Sequence, residues 1–318
     1  MYLKSCWARA QALYRGQQPA DPGDPALDRT LWNLLRLPPE PVWRHLLHAR
    51  EDFPAFEAWI ERTTGTLPSP TLVQRFNSVV TGRYQRPVYA APSADLLTGD
   101  ELDCWHTQGY VIVRGAVPRA DCAATVALLC SELGIDRDDA SNWYTPHPLR
   151  QGNMVQLFHH PQLERNRRSP RIRRAFEQLW LCNELLPSAD RLGFNPPQTP
   201  THPFQGPDLH WDIPLHPPVT FGTQGILYLS DTAAGQGAFT LVPGFHRKLE
   251  PWLQTLPGGE PPTLPELHAL GSMPLPANAG DLIIWHHALP HGSRPNTATV
   301  PRFVQYINYQ PLDVSLAS

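Results

Sequence analysis

Two imidazoles and one carboxylate can hold a redox-active divalent metal while leaving coordination positions open, and this chain carries the parts of such a set. His210 and Asp212 sit two apart in Leu209-His210-Trp211-Asp212-Ile213. On an extended segment residues i and i+2 point to the same face, so both side chains can reach one ion. Imidazole with carboxylate suits Fe(II), and the absence of thiolates disfavours a structural zinc site. With 14 histidines in the chain, His-x-Asp alone is weak, and its bland reading is an ordinary hydrogen-bonded pair. The buried-strand pattern Asp281-Leu282-Ile283-Ile284-Trp285-His286-His287 raises the odds, because it runs on into Ala288-Leu289-Pro290-His291-Gly292-Ser293. Spacing leaves His286, His287 and His291 open as the third donor.

Arg302 opens the segment Arg302-Phe303-Val304-Gln305-Tyr306-Ile307-Asn308. Alternation puts Arg302, Val304 and Tyr306 on one face of a strand. A guanidinium on an apolar inward face needs a charge partner, because burying it unpaired is costly. A bidentate carboxylate ligand would supply one; an acidic side chain is the bland alternative.

These residues need elements to position them. Tyr110–Arg114 reads as a strand, and further strands are expected at 185–195, 209–215, 223–231, 238–243, 281–287 and 302–310. Thr98-Gly99-Asp100-Glu101 is a capping box that starts a helix ending at Gly109. A second helix places Cys122, Val126, Leu129 and Leu133 on one face and stops at Gly134; a third starts at Ser169-Pro170. Short strands separated by Gly/Pro turns, after a few helices, point to a mainly β jelly-roll or sandwich with flanking helices. The 37 prolines and 21 glycines favour turns and short strands over a long helical bundle. Residues 1–95 differ. Leu3, Cys6, Trp7, Ala10, Leu13 and Tyr14 recur at helical spacing, as do Phe53, Phe56, Trp59 and Ile60. We read 1–95 as a helical N-terminal extension and 96–318 as the main domain, with an irregular stretch expected after Pro68 and Pro70.

Composition excludes little but guides the reading. A formal charge of -3 gives no reason to expect nucleic-acid binding. No apolar run could span a bilayer, and no secretory pattern opens the chain. Five scattered cysteines without a C-x-x-C pair read as reduced core residues of a cytoplasmic protein. Trp211 points away from its flanking candidates and reads as packing. The run Arg165, Arg167, Arg168, Arg171, Arg173 and Arg174 reads first as a solvated helix start and outer face, second as a dock for an anionic group.

Several ordered motifs together resemble the phytanoyl-CoA dioxygenase family over roughly residues 97–310. They are Leu97-Thr98…Gly109-Tyr110-Val111, His210-Trp211-Asp212, the segment Gly237–His246, Gly280-Asp281-Leu282, and His291-Gly292-Ser293-Arg294-Pro295-Asn296…Arg302. The resemblance implies a double-stranded β-helix (jelly-roll, cupin-like) core. It implies Fe(II), 2-oxoglutarate and O2 as cofactors and co-substrates. It places the iron ligands on His210, Asp212 and His291, and the 2-oxoglutarate carboxylate on Arg302 with help from Ser293. Gln156 falls where relatives make a polar co-substrate contact. Retention of Asp212 argues against halogenating variants, which give up this carboxylate. The implied activity is hydroxylation of a small organic molecule, lipid-like or a secondary metabolite, with release of succinate and CO2. Two other classes stand beside it: a non-redox metal enzyme in which Arg302 binds the substrate itself, and a non-catalytic metal-binding relative. Membrane and nucleic-acid partners are not expected, and the sequence is silent on oligomeric state.

Overall fold

The computed structural model describes residues 2–90, 96–255 and 262–313. The helices are α1 (Tyr2–Tyr14), α2 (Pro25–Leu34), α3 (Pro39–His48), α4 (Phe53–Thr64), α5 (Pro70–Val80), α6 (Gly99–Gln108), α7 (Arg119–Leu133), α8 (Pro161–Arg167), α9 (Pro170–Trp180), α10 (Leu249–Leu253) and α11 (Leu264–Ala269). The strands are β1 (Tyr110–Val113), β2 (Arg150–Gln151), β3 (Met154–Val155), β4 (Leu185–Pro187), β5 (Leu192–Asn195) and β6 (Thr223–Tyr228). They continue as β7 (Thr240–Leu241), β8 (Met273–Pro274), β9 (Leu282–His286), β10 (His291–Gly292), β11 (Arg302–Tyr306) and β12 (Tyr309–Pro311).

The chain forms two compact units. One takes Met1–Pro92, Leu179–Ala189 and Tyr309–Ser318; the other takes Ser93–Gln178 and Asp190–Asn308. The boundary expected after residue 95 borders 91–95, which lies outside the described residues. The first unit holds α1 to α5 and also recruits β4 and β12, an antiparallel pair from beyond that boundary. Its own core includes Cys6, Leu31, Trp32, Val42, Phe56, Ile60 and Phe76. Here the prolines behave differently from the expectation of turns. Each of α2 to α5 carries Pro at its first or second position, where a missing N–H costs nothing. The irregular stretch expected after Pro70 is therefore a helix, α5, capped by the Ser69 hydroxyl on the Leu72 amide. At the end of α1, Leu13 and Tyr14 are exposed, so the apolar stripe is shorter than its sequence pattern.

The second unit is the jelly-roll. Seven antiparallel strands run in the order β1-β9-β6-β11-β5-β3-β2, and three more run β10-β7-β8. Both sheets feed one core, with Ile226 and Tyr228 of β6, Ile283 and Trp285 of β9, Val304 of β11 and Leu241 of β7. The opposite face of the large sheet is covered by α7 and α8. Gln305 of β11 donates to the Leu163 carbonyl (3.1 Å) and accepts from Asn166 (2.8 Å), which also donates to Thr125 of α7 (2.8 Å). The helix signals act as read: Thr98 and Glu101 form both halves of the capping box, and Gly109 and Gly134 close α6 and α7 in left-handed conformations.

The strands expected at 185–195 and 302–310 each break in two, β4 with β5 and β11 with β12, and two further expectations need correction. Residues 209–215 do not form a strand; they make a single bridge, His210 to His291. Pro214, Pro217 and Pro218 crowd the end of that segment, and proline has no amide to donate to a ladder. The arginine run is not simply a solvated face. Arg167 is fully buried and donates to Glu164 (2.7 Å) and to the carbonyls of Phe158 (2.9 Å) and Asp190 (2.5 Å). Arg173 pairs with Glu177 (2.6 Å), and Arg165 and Arg168 reach Asp121 and Glu164 (both 3.9 Å). An anionic dock would have to compete with those partners.

Candidate metal centre

His291 lies in β10, opposite Leu241 of β7, and His210 is held against it by reciprocal backbone bonds: the His210 amide donates to the His291 carbonyl (2.9 Å) and the His291 amide donates back (3.0 Å). This close approach explains the glycine of His-Gly-Ser. A Cβ on Gly292 would stand 2.3 Å from the Asp208 carbonyl oxygen, so any other residue would push the two segments apart.

The Nε2 atoms of His210 and His291 each lie 3.3 Å from a carboxylate oxygen of Asp212. The three donor atoms fall within 4.8 Å of one another. Both imidazoles are oriented by carbonyls on their far nitrogens: His210 Nδ1 donates to Asp208 (2.7 Å) and His291 Nδ1 to Leu289 (3.0 Å). With Nδ1 so committed, each imidazole in its neutral form presents an Nε2 lone pair inward, the arrangement metal-binding histidines favour; in its protonated form it turns an Nε2–H on Asp212 instead. Burial raises the cost of ionising Asp212, but hydrogen bonds from His210 and His291, the charge of His291 and a bond from Gln224 outweigh it, so its pKa falls well below the usual carboxylate range. For His210, burial works against the charged form, but the Asp212 and Asp208 hydrogen bonds and charges win and raise its pKa.

The competing histidines lie elsewhere. His286 accepts the Ala288 amide on Nδ1 (3.1 Å), and burial, then the charges of His287 and His246, push its pKa down to about 3. His287 Nε2 bonds to the Thr220 carbonyl (2.5 Å). Trp211 turns outward, donating to the Ala288 carbonyl (2.9 Å) and packing on Phe245 and Trp252.

Arg302 is 1% exposed, and no acidic side chain pairs with it among the described residues. Its Nη1 donates to the Gly237 carbonyl (2.6 Å) and its Nη2 to the Ser293 hydroxyl (2.8 Å), while Nε is buried with no acceptor. The salt bridge that would make Arg302 purely structural is therefore missing. Gln156 follows β3 and its amide donates to the Leu149 carbonyl (2.7 Å). Its side-chain nitrogen is buried without a partner, and among the described residues no hydrogen bond joins it to the trio, Ser293 or Arg302.

The Gly280-Asp281 motif is architectural. Gly280 sits at φ 95° with the Val117 carbonyl 2.3 Å from where a Cβ would be. Asp281 accepts from Arg114 (2.7 Å) and from the amides of Gly115 (2.9 Å) and Asn278 (3.0 Å). One contributor escaped the sequence reading. Gln224 donates to Asp212 (2.6 Å) and accepts from the Trp285 indole (3.1 Å), so it fixes the carboxylate. Its signal was present: Gln224 shares a strand face with Ile226 and Tyr228, and a polar residue on a core-facing row needs a reason.

A jelly-roll with an inward two-histidine, one-carboxylate cluster beside an unpaired buried arginine defines the class. A family model for Phytanoyl-CoA dioxygenase (PhyH) matches residues 105–304, and the chain belongs to that family. It is an oxygenase of the Fe(II)- and 2-oxoglutarate-dependent kind, with O2 as the oxidant. A Dictyostelium discoideum protein that carries the phytanoyl-CoA dioxygenase name is 20% identical over 254 residues, 64% of this chain and 72% of its own length. Among solved structures, HygX from Streptomyces hygroscopicus, with nickel and 2-oxoglutarate bound, is 17% identical with a TM-score of 0.51, covering 68% of this chain and 87% of that one. The epimerase SnoN from nogalamycin biosynthesis, in complex with Fe3+, alpha ketoglutarate and nogalamycin RO, is 19% identical with a TM-score of 0.50, covering 67% and 82%. At such identities the two structures speak to the fold alone. Among the described residues no helix is long and apolar enough to cross a membrane, and all five cysteines are free.

Proposed function

We propose that His210, Asp212 and His291 hold Fe(II), that Arg302 and Ser293 hold the distal carboxylate of 2-oxoglutarate, and that the chain hydroxylates a small organic molecule with release of succinate and CO2. The observation that carries this reading is the fully buried guanidinium of Arg302 without a carboxylate of its own. A ligand carboxylate would supply the missing charge and an acceptor for the orphaned Nε. The donor set fits as well: two neutral imidazole nitrogens and one ionised carboxylate suit Fe(II) and leave positions for co-substrate and oxygen. Iron with 2-oxoglutarate and O2 supplies the oxidising chemistry at a C–H bond.

The protein's part is orientation. The carbonyls of Asp208 and Leu289 set the imidazole tautomers, and Gln224 with Trp285 fixes the Asp212 carboxylate. Ser293 stands two residues from His291 on the same short segment, so metal and carboxylate anchors share one rigid support. Gln156, with its unused side-chain amide, is proposed as a further polar contact to the co-substrate. Five reduced cysteines support a cytoplasmic setting.

The test is an anaerobic titration of metal-free protein with Fe(II) and then 2-oxoglutarate, following the visible charge-transfer band of the chelate. The band is expected in the wild type and strongly weakened in Arg302→Ala. Bound iron without a band would favour a non-redox metal site. In Asp212→Ala substrate oxidation should disappear; unchanged product formation there would sink the assignment.

A further inference from the structure

The inner face of the large sheet can be read row by row from its register. Arg302 stands beside Asn195, Val304 beside Gly193 and Tyr228, and Tyr306 beside Ile226 with its amide on the Arg191 carbonyl (3.1 Å). The first two rows are sealed, for Arg302, Asn195, Val304, Gly193 and Tyr228 are all buried. In the third row accessible surface returns: Tyr306 and Arg191 are only partly buried. Their neighbours Gln305 and Leu192, which face the covering helices, are fully buried. The accessible surface therefore lies on the inward face, at the end of β11 away from Arg302.

Tyr306 lies four residues from Arg302 on the same strand face, about 13 Å along β11. Its phenol is near enough to Arg302, Asp190, Asp212 and Arg191 to feel all four charges. Its hydroxyl has no hydrogen-bond partner among the described residues. Asp190 accepts the Arg191 amide on Oδ1 (2.8 Å), with Arg191 Nε at 3.6 Å, and its other oxygen has no partner among the described residues. It keeps 38% of its side chain accessible, yet protein surrounds it closely enough that burial raises its pKa. Arg191 in turn lies over the Phe158 ring at 5.7 Å. An aliphatic chain laid on this row would strip water from a hydroxyl and a carboxyl oxygen and give back no hydrogen bond.

Resting on the Fe(II)/2-oxoglutarate reading above, we propose that Tyr306 and Asp190, flanked by Arg191, are the substrate-recognising wall of the metal cavity and select a polar molecule presenting an amine or hydroxyl over a hydrocarbon chain. Arg302 marks the sealed end, where a dicarboxylate would lie. The Tyr306 row, nearer the half-exposed Asp212, is where the substrate would meet the metal trio. Of the two substrate kinds the sequence reading left open, lipid-like or secondary metabolite, this favours a polar metabolite.

The experiment is a calorimetric titration of protein loaded with redox-inert Ni(II) and 2-oxoglutarate. Three probes are used in turn: glucosamine, glucose and decanoate. The wild type, Tyr306→Phe and Asp190→Asn are compared. At least one sugar is expected to bind more tightly than decanoate, with affinity falling about tenfold in both variants. A loss in Asp190→Asn confined to glucosamine identifies the amine as the recognised group; an equal loss for glucose identifies the hydroxyl. Tighter binding of decanoate, no heat from either sugar, or unchanged sugar affinity in both variants overturns the proposal. The 2-oxoglutarate loading step separates the two readings. Failure of the wild type to take up 2-oxoglutarate sinks the cofactor assignment, whereas uptake without sugar binding overturns the substrate class alone. Uptake by each variant also shows that it has folded.

Discussion

Both units of the molecule bury arginines, and two of them, Arg9 and Arg302, are satisfied differently. In the helical unit Arg9 is 5% exposed and bonded to Asp28, with Asp21 at 3.5 Å and the Cys6 sulfur at 3.0 Å. In the jelly-roll Arg302 is buried more completely, with one hydroxyl, one carbonyl and no acid among the described residues. The first arginine has acids of its own, although its Nη1 makes no hydrogen bond, and its pair with Asp28 ties α1 to α2. The second is left one anion short. A protein can tolerate that deficit where binding fills it, and the same inward strand face carries the row that approaches the metal trio. The contrast is between an arginine with acids of its own and one whose acceptors are a carbonyl and a hydroxyl.

The sharpest way to break the contrast is to replace each arginine by methionine, which preserves volume. Arg302→Met should weaken 2-oxoglutarate binding about 1,000-fold, the ~4 kcal/mol typical of removing one member of a buried charge pair. Its melting temperature should fall less than for a broken ion pair, because only the hydrogen bonds to Gly237 and Ser293 are lost. Arg9→Met should do the reverse. Asp28 loses its partner, the helical unit is destabilised by about 3 kcal/mol, and 2-oxoglutarate affinity is unchanged. Urea unfolding and co-substrate titration of both variants give the four numbers; equal stability losses would erase the distinction.

A smaller effect tests whether the metal trio depends on its support. Gln224→Leu removes the amide that fixes Asp212 and should lower metal affinity about tenfold, read by competition with a chelator. Unchanged affinity would mean that the histidines alone set the geometry. The smallest effect concerns an ordinary surface pair in the same unit as Arg302. Arg119 and the Ala279 amide hold the Asp231 pKa down to about 2. Because the folded value is depressed, this contribution is present above the ordinary carboxylate range and fades as pH falls toward 2. Asp231→Asn should therefore be slightly less stable than wild type at neutral pH, and the two should converge in acid unfolding curves.

Much of the architecture was legible locally. The capping box at Thr98, the left-handed glycines 109 and 134 and the proline at the start of α9 are signals a few residues long, and each acts in the structure as it reads in sequence. The segment at 209–215 was misread because His210 and Asp212 converge without a ladder; one bridge to His291 is enough. The stretch after Pro68 and Pro70 was read as irregular because proline both starts helices and ends them, and only the capping context tells which. Gln224 was missed because β6 reads as an ordinary core strand until its partner on the metal loop is in place.

The sequence by itself determined the donor types, their order along the chain, the family motifs and the helix ends, since these depend on residue identity and short-range backbone chemistry. Tertiary structure decided which of three histidines stands beside Asp212, whether Arg302 has an acidic neighbour among the described residues, and that Gln224 holds the Asp212 carboxylate. Those answers rest largely on contacts between distant segments, among them His291 with Asp212, 79 residues apart, and Arg302 with Gly237, 65 residues apart. Only the register of the folded sheets sets such contacts, because a one-residue slip would turn every side chain of a strand to its other face.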